Sequence, residues 1–191
     1  MVKLDIDFGK IIDLKDATKV PTFEKLKRTL LALMIRQKDL VFRSETDPDG
    51  LPWEKLSTQS LNKRLSKNRS TKDISKLNEK RIGAGLAKLS SHKILQSTGL
   101  LRNSLTQSGA PYSSGSVGSN EISLGTFVPY AVIHQYGGVI KNPGTDNGFG
   151  MGIKIKPYSI TMPQRSFIGF GKQDDAESTE LISSFIEKAN K

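Results

Sequence analysis

His92 and His134 are the only imidazoles in this 191-residue chain, and cysteine is absent. The lack of thiols rules out disulfide frameworks, cysteine-ligated zinc, iron–sulfur clusters and a thiolate nucleophile. It also suits assembly in a reducing cytoplasm. A zinc site would have to gather both histidines and carboxylates through the fold, because none of the short ligand spacings occurs. No metal and no cofactor is expected. His134 sits in Tyr130-Ala131-Val132-Ile133-His134-Gln135-Tyr136-Gly137, where it is the one candidate general base. Its apolar neighbours also suit a short buried helix in which the imidazole satisfies backbone groups, and this structural reading is preferred. Gly83-Ala84-Gly85 lacks the glycine and lysine of a phosphate-binding loop. Gly115-Ser116-Val117-Gly118 has the wrong spacing for a serine elbow. Asp5, Asp7 and Asp13 read as surface charges and not as a pair of catalytic acids. An enzyme is not expected.

Charge is concentrated. The chain carries 29 basic and 19 acidic residues, a net +10, and residues 51–105 hold twelve of the basic and three of the acidic ones. Lys63, Arg64, Lys67, Arg69 and Lys72 are the core of that segment. Such a patch can hold phosphates or an acidic protein surface, and a solvated lysine-rich helix face has the same composition. Aromatic residues for base stacking are missing apart from Trp53 at its edge. Nucleic-acid contact there would be non-specific, through backbone phosphates.

These residues need elements to position them. The first eight residues alternate apolar and charged side chains, a strand pattern without the apolar block of a secretory signal. Phe23, Leu26, Leu30, Leu33 or Met34, and Val41 follow helical spacing, with Thr22 as N-cap and Glu24 in the first turn, so a helix is expected over 22–44. The turn-rich run 46–53 ends it. Residues 57–72 are polar and read as a flexible segment that orders against a partner. Ile74, Leu77, Ile82, Leu86 and Leu89 suggest a helix over 73–92, weakened by Gly83 and Gly85.

After Gly99 the pattern becomes strand-like. Residues 100–106 alternate loosely, 121–126 clearly, and 152–156 with 159–162 read as a pair around Pro157-Tyr158, together making a small antiparallel sheet. The glycines between 137 and 152 suggest a long mobile loop over 138–152. Asp174-Asp175 then cap an amphipathic helix carrying Leu181, Ile182, Phe185, Ile186 and Ala189. The longest apolar run, residues 30–35, is too short to span a membrane, and no membrane partner is expected. The expected fold is α+β: a long N-terminal helix and a C-terminal helix packed on a small antiparallel sheet, with long mobile loops. Residues 1–191 form one domain in this reading, 1–20 being an N-terminal strand or arm.

Four segments occur in a recognisable order: Asp49-Gly50-Leu51-Pro52-Trp53-Glu54-Lys55-Leu56; Lys93-Ile94-Leu95-Gln96-Ser97-Thr98-Gly99-Leu100-Leu101-Arg102-Asn103-Ser104; Pro129-Tyr130-Ala131 with His134-Gln135-Tyr136-Gly137-Gly138; and Met162-Pro163-Gln164-Arg165-Ser166-Phe167-Ile168-Gly169. Through them the chain, over about residues 20–188, resembles the tailed-phage virion morphogenesis family, a tail-completion family. The long basic segment between Leu56 and Ile94 and the glycine-rich stretch after Gly138 depart from its pattern.

The resemblance implies a non-enzymatic virion protein of the neck or tail end, assembled in the bacterial host cytoplasm. It would form a homo-hexameric ring that completes the tail and helps join it to the head. Its implied partners are further copies of itself and the neighbouring neck, connector and tail tube or sheath proteins. Trp53, Leu56, Gly99, Leu100, Tyr130, His134, Gln135, Gly137, Pro163, Arg165 and Phe167 are the motif positions it assigns to fold maintenance or to an interface. Trp53 would pin a loop to the core, Gly99 would suit the exit from a helix, and Arg165 could bridge to a carboxylate. Two alternatives stay open: a basic nucleic-acid-associated protein acting in genome packaging or retention, and a capsid assembly factor.

Overall fold

Seven apolar side chains along one face of a helix, Phe23, Leu26, Leu30, Leu33, Met34, Val41 and Phe42, are buried together, and each contributes about 1.5–3 kcal/mol when fully removed from water. Their helix, α1 (Pro21–Ser44), opens on a proline whose fixed φ suits the first turn. The structure is a computed structural model describing residues 1–8, 21–57, 60, 93–148 and 153–189. The expected helix at 73–92, the segment at 57–72 beyond Ser57 and Ser60, and Lys63, Arg64, Lys67, Arg69 and Lys72 lie outside the described residues.

Against α1 lies a three-stranded antiparallel sheet. β1 (Val2–Asp7) and β2 (Ser113–Val117) flank β3 (Glu121–Thr126) in the order β1-β3-β2. Val2 stands opposite Thr126 and Ile6 opposite Ile122, so Val2, Ile6, Ile122 and Leu124 enter one core with the α1 face. Two buried lysines tie α1 to its surroundings. Lys27 Nζ donates to the carbonyls of Gly118 (2.7 Å) and Ser119 (3.1 Å) in the β2–β3 turn and pairs with Glu24. Lys38 Nζ donates to Gly169 O (2.5 Å) and lies 3.5 Å from Asp174. Burial lowers the Lys38 pKa, and the Asp174 carboxylate opposes that effect.

Residues 100–106 are helical, not extended. In α2 (Leu100–Thr106) the buried residues are Leu101, Ser104 and Leu105, an i, i+3, i+4 set that period 2 cannot bury together. Gly99, at φ 73°, starts this helix; the expected exit from a helix is not its role there. α3 (Ala131–Tyr136) is the short helix expected around His134. α4 (Lys172–Ala189) closes the chain, with Asp174 Oδ2 accepting the Gly171 amide (3.2 Å) in a reach back from the first turn. The expected α+β class therefore holds, with the long N-terminal and C-terminal helices in place.

The region expected to be a mobile loop contains regular strands. β4 (Gly138–Asn142) pairs with β7 (Tyr158–Met162), and β5 (Thr145–Gly148) pairs with β6 (Ile153–Ile155). Residues 153–155 and 158–162 are thus strands, as expected, but they do not pair with each other. Gly138 faces Met162, Asn142 faces Tyr158 and Thr145 faces Ile155, one register carried through both ladders until it shifts beyond Thr145. Together they form one antiparallel ribbon, interrupted where Pro143 and Pro157 cannot donate. Gly144 serves this geometry: at φ 80°, a β-carbon there would meet Ile155 O at 2.5 Å. Glycine number alone misleads here, because the strands also carry the β-branched Val139, Ile140, Thr145, Ile153 and Ile155.

Candidate functional site

The third and fourth motifs are knitted together by hydrogen bonds that start on α3. Gln135 Oε1 accepts the amides of Phe167 and Ile168, both at 3.0 Å, while Gln135 Nε2 donates to Ile168 O at 2.7 Å. Its side chain is buried and acts as a short extra strand for the 167–168 backbone. Arg165 N donates to His134 O (2.7 Å), and Ser166 Oγ donates to Gln135 O (3.2 Å). Gly137 makes this close approach possible. Its φ 70° and ψ −174° are open essentially only to glycine, and an added β-carbon would lie 3.0 Å from Gln164 N.

The fourth motif reaches back to the first. Arg165 is buried, with Nε donating to Glu54 O (2.8 Å) and Nη2 to Lys55 O (3.2 Å). Arg165 thus bonds directly to two backbone carbonyls of the first motif. Trp53 Nε1 donates to Ser166 O (2.8 Å), and its ring meets Phe42 edge-on at 5.7 Å. Phe167 packs on the same Phe42 ring at 5.8 Å. Trp53 does pin the 46–57 loop to the core, and Phe167 lies in that core beneath it.

The second motif joins from the other side. Ile94 N donates to Glu45 Oε1 (2.6 Å) and Gln96 Nε2 to Phe42 O (2.6 Å), which holds residues 94–98 at the end of α1. Between all four motifs opens a cleft of about 630 Å³. Glu54, Lys55 and Leu56 form one wall, Leu95, Ser97 and Thr98 a second, and Tyr130 and His134 a third. Met162, Pro163 and Arg165 complete it, together with Ile160 from the ribbon. Gly99 and Leu100 belong to the start of α2 and not to the wall, although Leu100 packs against the core.

The cleft is poorly equipped for acid–base chemistry. The half-buried His134 ring stands edge-on to Tyr130 at 5.9 Å, and its Nδ1 has no hydrogen-bond partner among the described residues. Burial lowers its pKa, and the Arg165 cation lowers it further, so the imidazole is neutral near neutral pH. A working base would want a carboxylate orienting it, and its described neighbours supply a guanidinium. Among the described residues no group of three His, Asp or Glu side chains could hold a metal ion, and no helix is long and apolar enough to cross a membrane.

Sequence reasoning singled out Gln135 without seeing its part as an amide clamp, and it overlooked Ile160. A buried glutamine at the end of a short apolar helix was the available signal for the first. The Tyr158, Ile160, Met162 alternation was the signal for the second.

A family model described as the phage virion morphogenesis family matches residues 79–187. That range takes in the second, third and fourth motifs and all of the ribbon, and it leaves the Trp53 motif outside. No curated protein and no solved structure matches the chain.

Proposed function

The chain belongs to the phage virion morphogenesis family, and from that premise we propose that it is a structural subunit of the phage neck or tail end, which closes into a ring, completes the tail and helps join it to the head. The family itself supports a role in building the virion, and a structural, non-catalytic part in it is the reading adopted here. The finer placement is supported chiefly by one observation: the motif side chains are engaged in holding segments to one another. Trp53, Gln135, Gly137 and Arg165 fix where the ribbon leaves the core, and no proton relay runs through them. Conserving geometry at the root of a projecting arm is what an assembly subunit requires. Neck, connector and tail tube or sheath proteins are the partners this reading supplies.

The test is genetic. Removing the gene from the phage that encodes it should give filled heads and separate, unfinished tails under the electron microscope, and supplying the protein should restore joined particles. Normal particles without the protein would refute the reading.

The charge of residues 51–105 favours a second activity, phosphate contact with the genome. It predicts DNA affinity that falls steeply with salt in a filter-binding titration, and no binding at low salt would remove it.

A further inference from the structure

We propose that the ribbon of β4 and β7 docks into the groove between α1 and α4 of a second copy of this chain, head to tail. The inference rests on the ring reading above and names the contact that would close the ring.

The ribbon needs a cover. Among the described residues its strands pack chiefly on each other, and none of the helices or the three-stranded sheet lies against it to a comparable extent. A two-stranded ribbon is marginal on its own in water. Its register also sorts the side chains. Ile140 stands opposite Ile160, and Asn142 opposite Tyr158, on one face; Val139 with Thr161 and Lys141 with Ser159 occupy the other. The first face is apolar yet open to solvent, with Ile140 45%, Ile160 47% and Tyr158 50% exposed. An apolar stripe on a projecting arm marks an interaction surface.

The groove between α1 and α4 has the complementary character. Ala32, Leu33 and Leu181 give it an apolar lining of about 520 Å³. Its rim carries Glu180 and the Glu177 carboxylate paired with Arg36. Charge favours the match. Residues 138–162 carry three lysines and one aspartate, whereas α4 carries five acidic residues and two lysines. Lys141 and Lys156 on the ribbon are exposed and make no ion pair among the described residues, and the same holds for Glu180 on the rim. The cleft at the ribbon's root is a poorer receptor for the ribbon's lysines, because its two cations, Lys55 and Arg165, outnumber Glu54, whereas in the groove two glutamates outnumber Arg36.

The contact is between molecules. The ribbon does not pack on α1 or α4 of its own chain to any comparable extent. Because ribbon and groove are different patches, each copy can give one arm and receive another, the heterologous arrangement that closes into rings.

The absence of native cysteine makes a clean test. Full-length Ile160→Cys and Ser184→Cys proteins are mixed and oxidised, and the masses of the same samples are read by light scattering. The expected product is the mixed disulfide, dominant over both self-disulfides and reduced at about 1 M salt, where screening acts within about 3 Å. An Ile140→Ser/Ile160→Ser variant should melt like the parent, because both side chains are exposed, yet lose the oligomer. Oligomers without the mixed disulfide would overturn the docking and leave the ring reading intact. A preponderance of Ile160→Cys self-disulfide would overturn it in favour of ribbon-to-ribbon pairing. Monomers throughout, with no cross-link, would count against both.

Discussion

Gln135 shows how much a single amide can organise. Replacing it with alanine leaves two amides and a carbonyl of residues 167–168 buried without partners, each costing about 1–3 kcal/mol. Gln135→Ala should therefore lower the melting temperature sharply, whereas Gln135→Glu, which keeps the acceptor, should cost less. Gly137→Ala should cost about 1–3 kcal/mol from backbone strain alone, measurable by denaturant unfolding. His134 gives a pH signature. Its folded pKa lies below the ordinary 6.5 because of burial and then Arg165. Below that ordinary value the unfolded chain takes up a proton that the folded chain resists, so the contribution is full above about 6.5 and is lost as pH falls towards the lowered folded value. Melting temperature should thus fall as pH drops below about 6.5, and His134→Gln should flatten that dependence. At this scale the sequence singled out Gln135 and Arg165 but not their bonds, because the carbonyls and amides they meet belong to segments brought near only by folding.

Among the elements, the long periodic helices and the short α3 were legible, and α2 was not. α1 has seven buried apolar residues repeating over 24 positions, a signal that no alternation can imitate. α2 has seven residues, and its buried Leu101 and Leu105 cannot distinguish two turns of helix from a loose strand without knowing which face is covered. In the ribbon, β4 was hidden by the neighbouring glycines and by exposure on both faces, which removes the half-buried alternation that normally announces a strand. The hinge between the elements is the Trp53 loop. Trp53→Phe keeps an aromatic ring against Phe42 but deletes the donor to Ser166 O, leaving that carbonyl unpaired at a cost of about 1–3 kcal/mol. We expect a modest drop in melting temperature for Trp53→Phe. A larger one of about 3–5 kcal/mol is expected for Trp53→Ala, which also empties the ring's site.

At the scale of the whole molecule, buried polar side chains tie distant segments to the core, and an apolar arm is left in water. Lys38, Gln135 and Arg165 each bond backbone from a distant segment, so the core, the cleft and the root of the ribbon are coupled. The exposed face of Ile140, Tyr158 and Ile160 has no counterpart within the chain among the described residues. That face is the surface which the proposed docking to a second copy would cover. The most direct test is the mass of the purified full-length protein by light scattering, across protein concentration and salt. The account predicts a discrete closed species of several subunits, near a hexamer, which dissociates as salt screens the ribbon's lysines from the acidic groove. A monomer at every concentration and salt would contradict it.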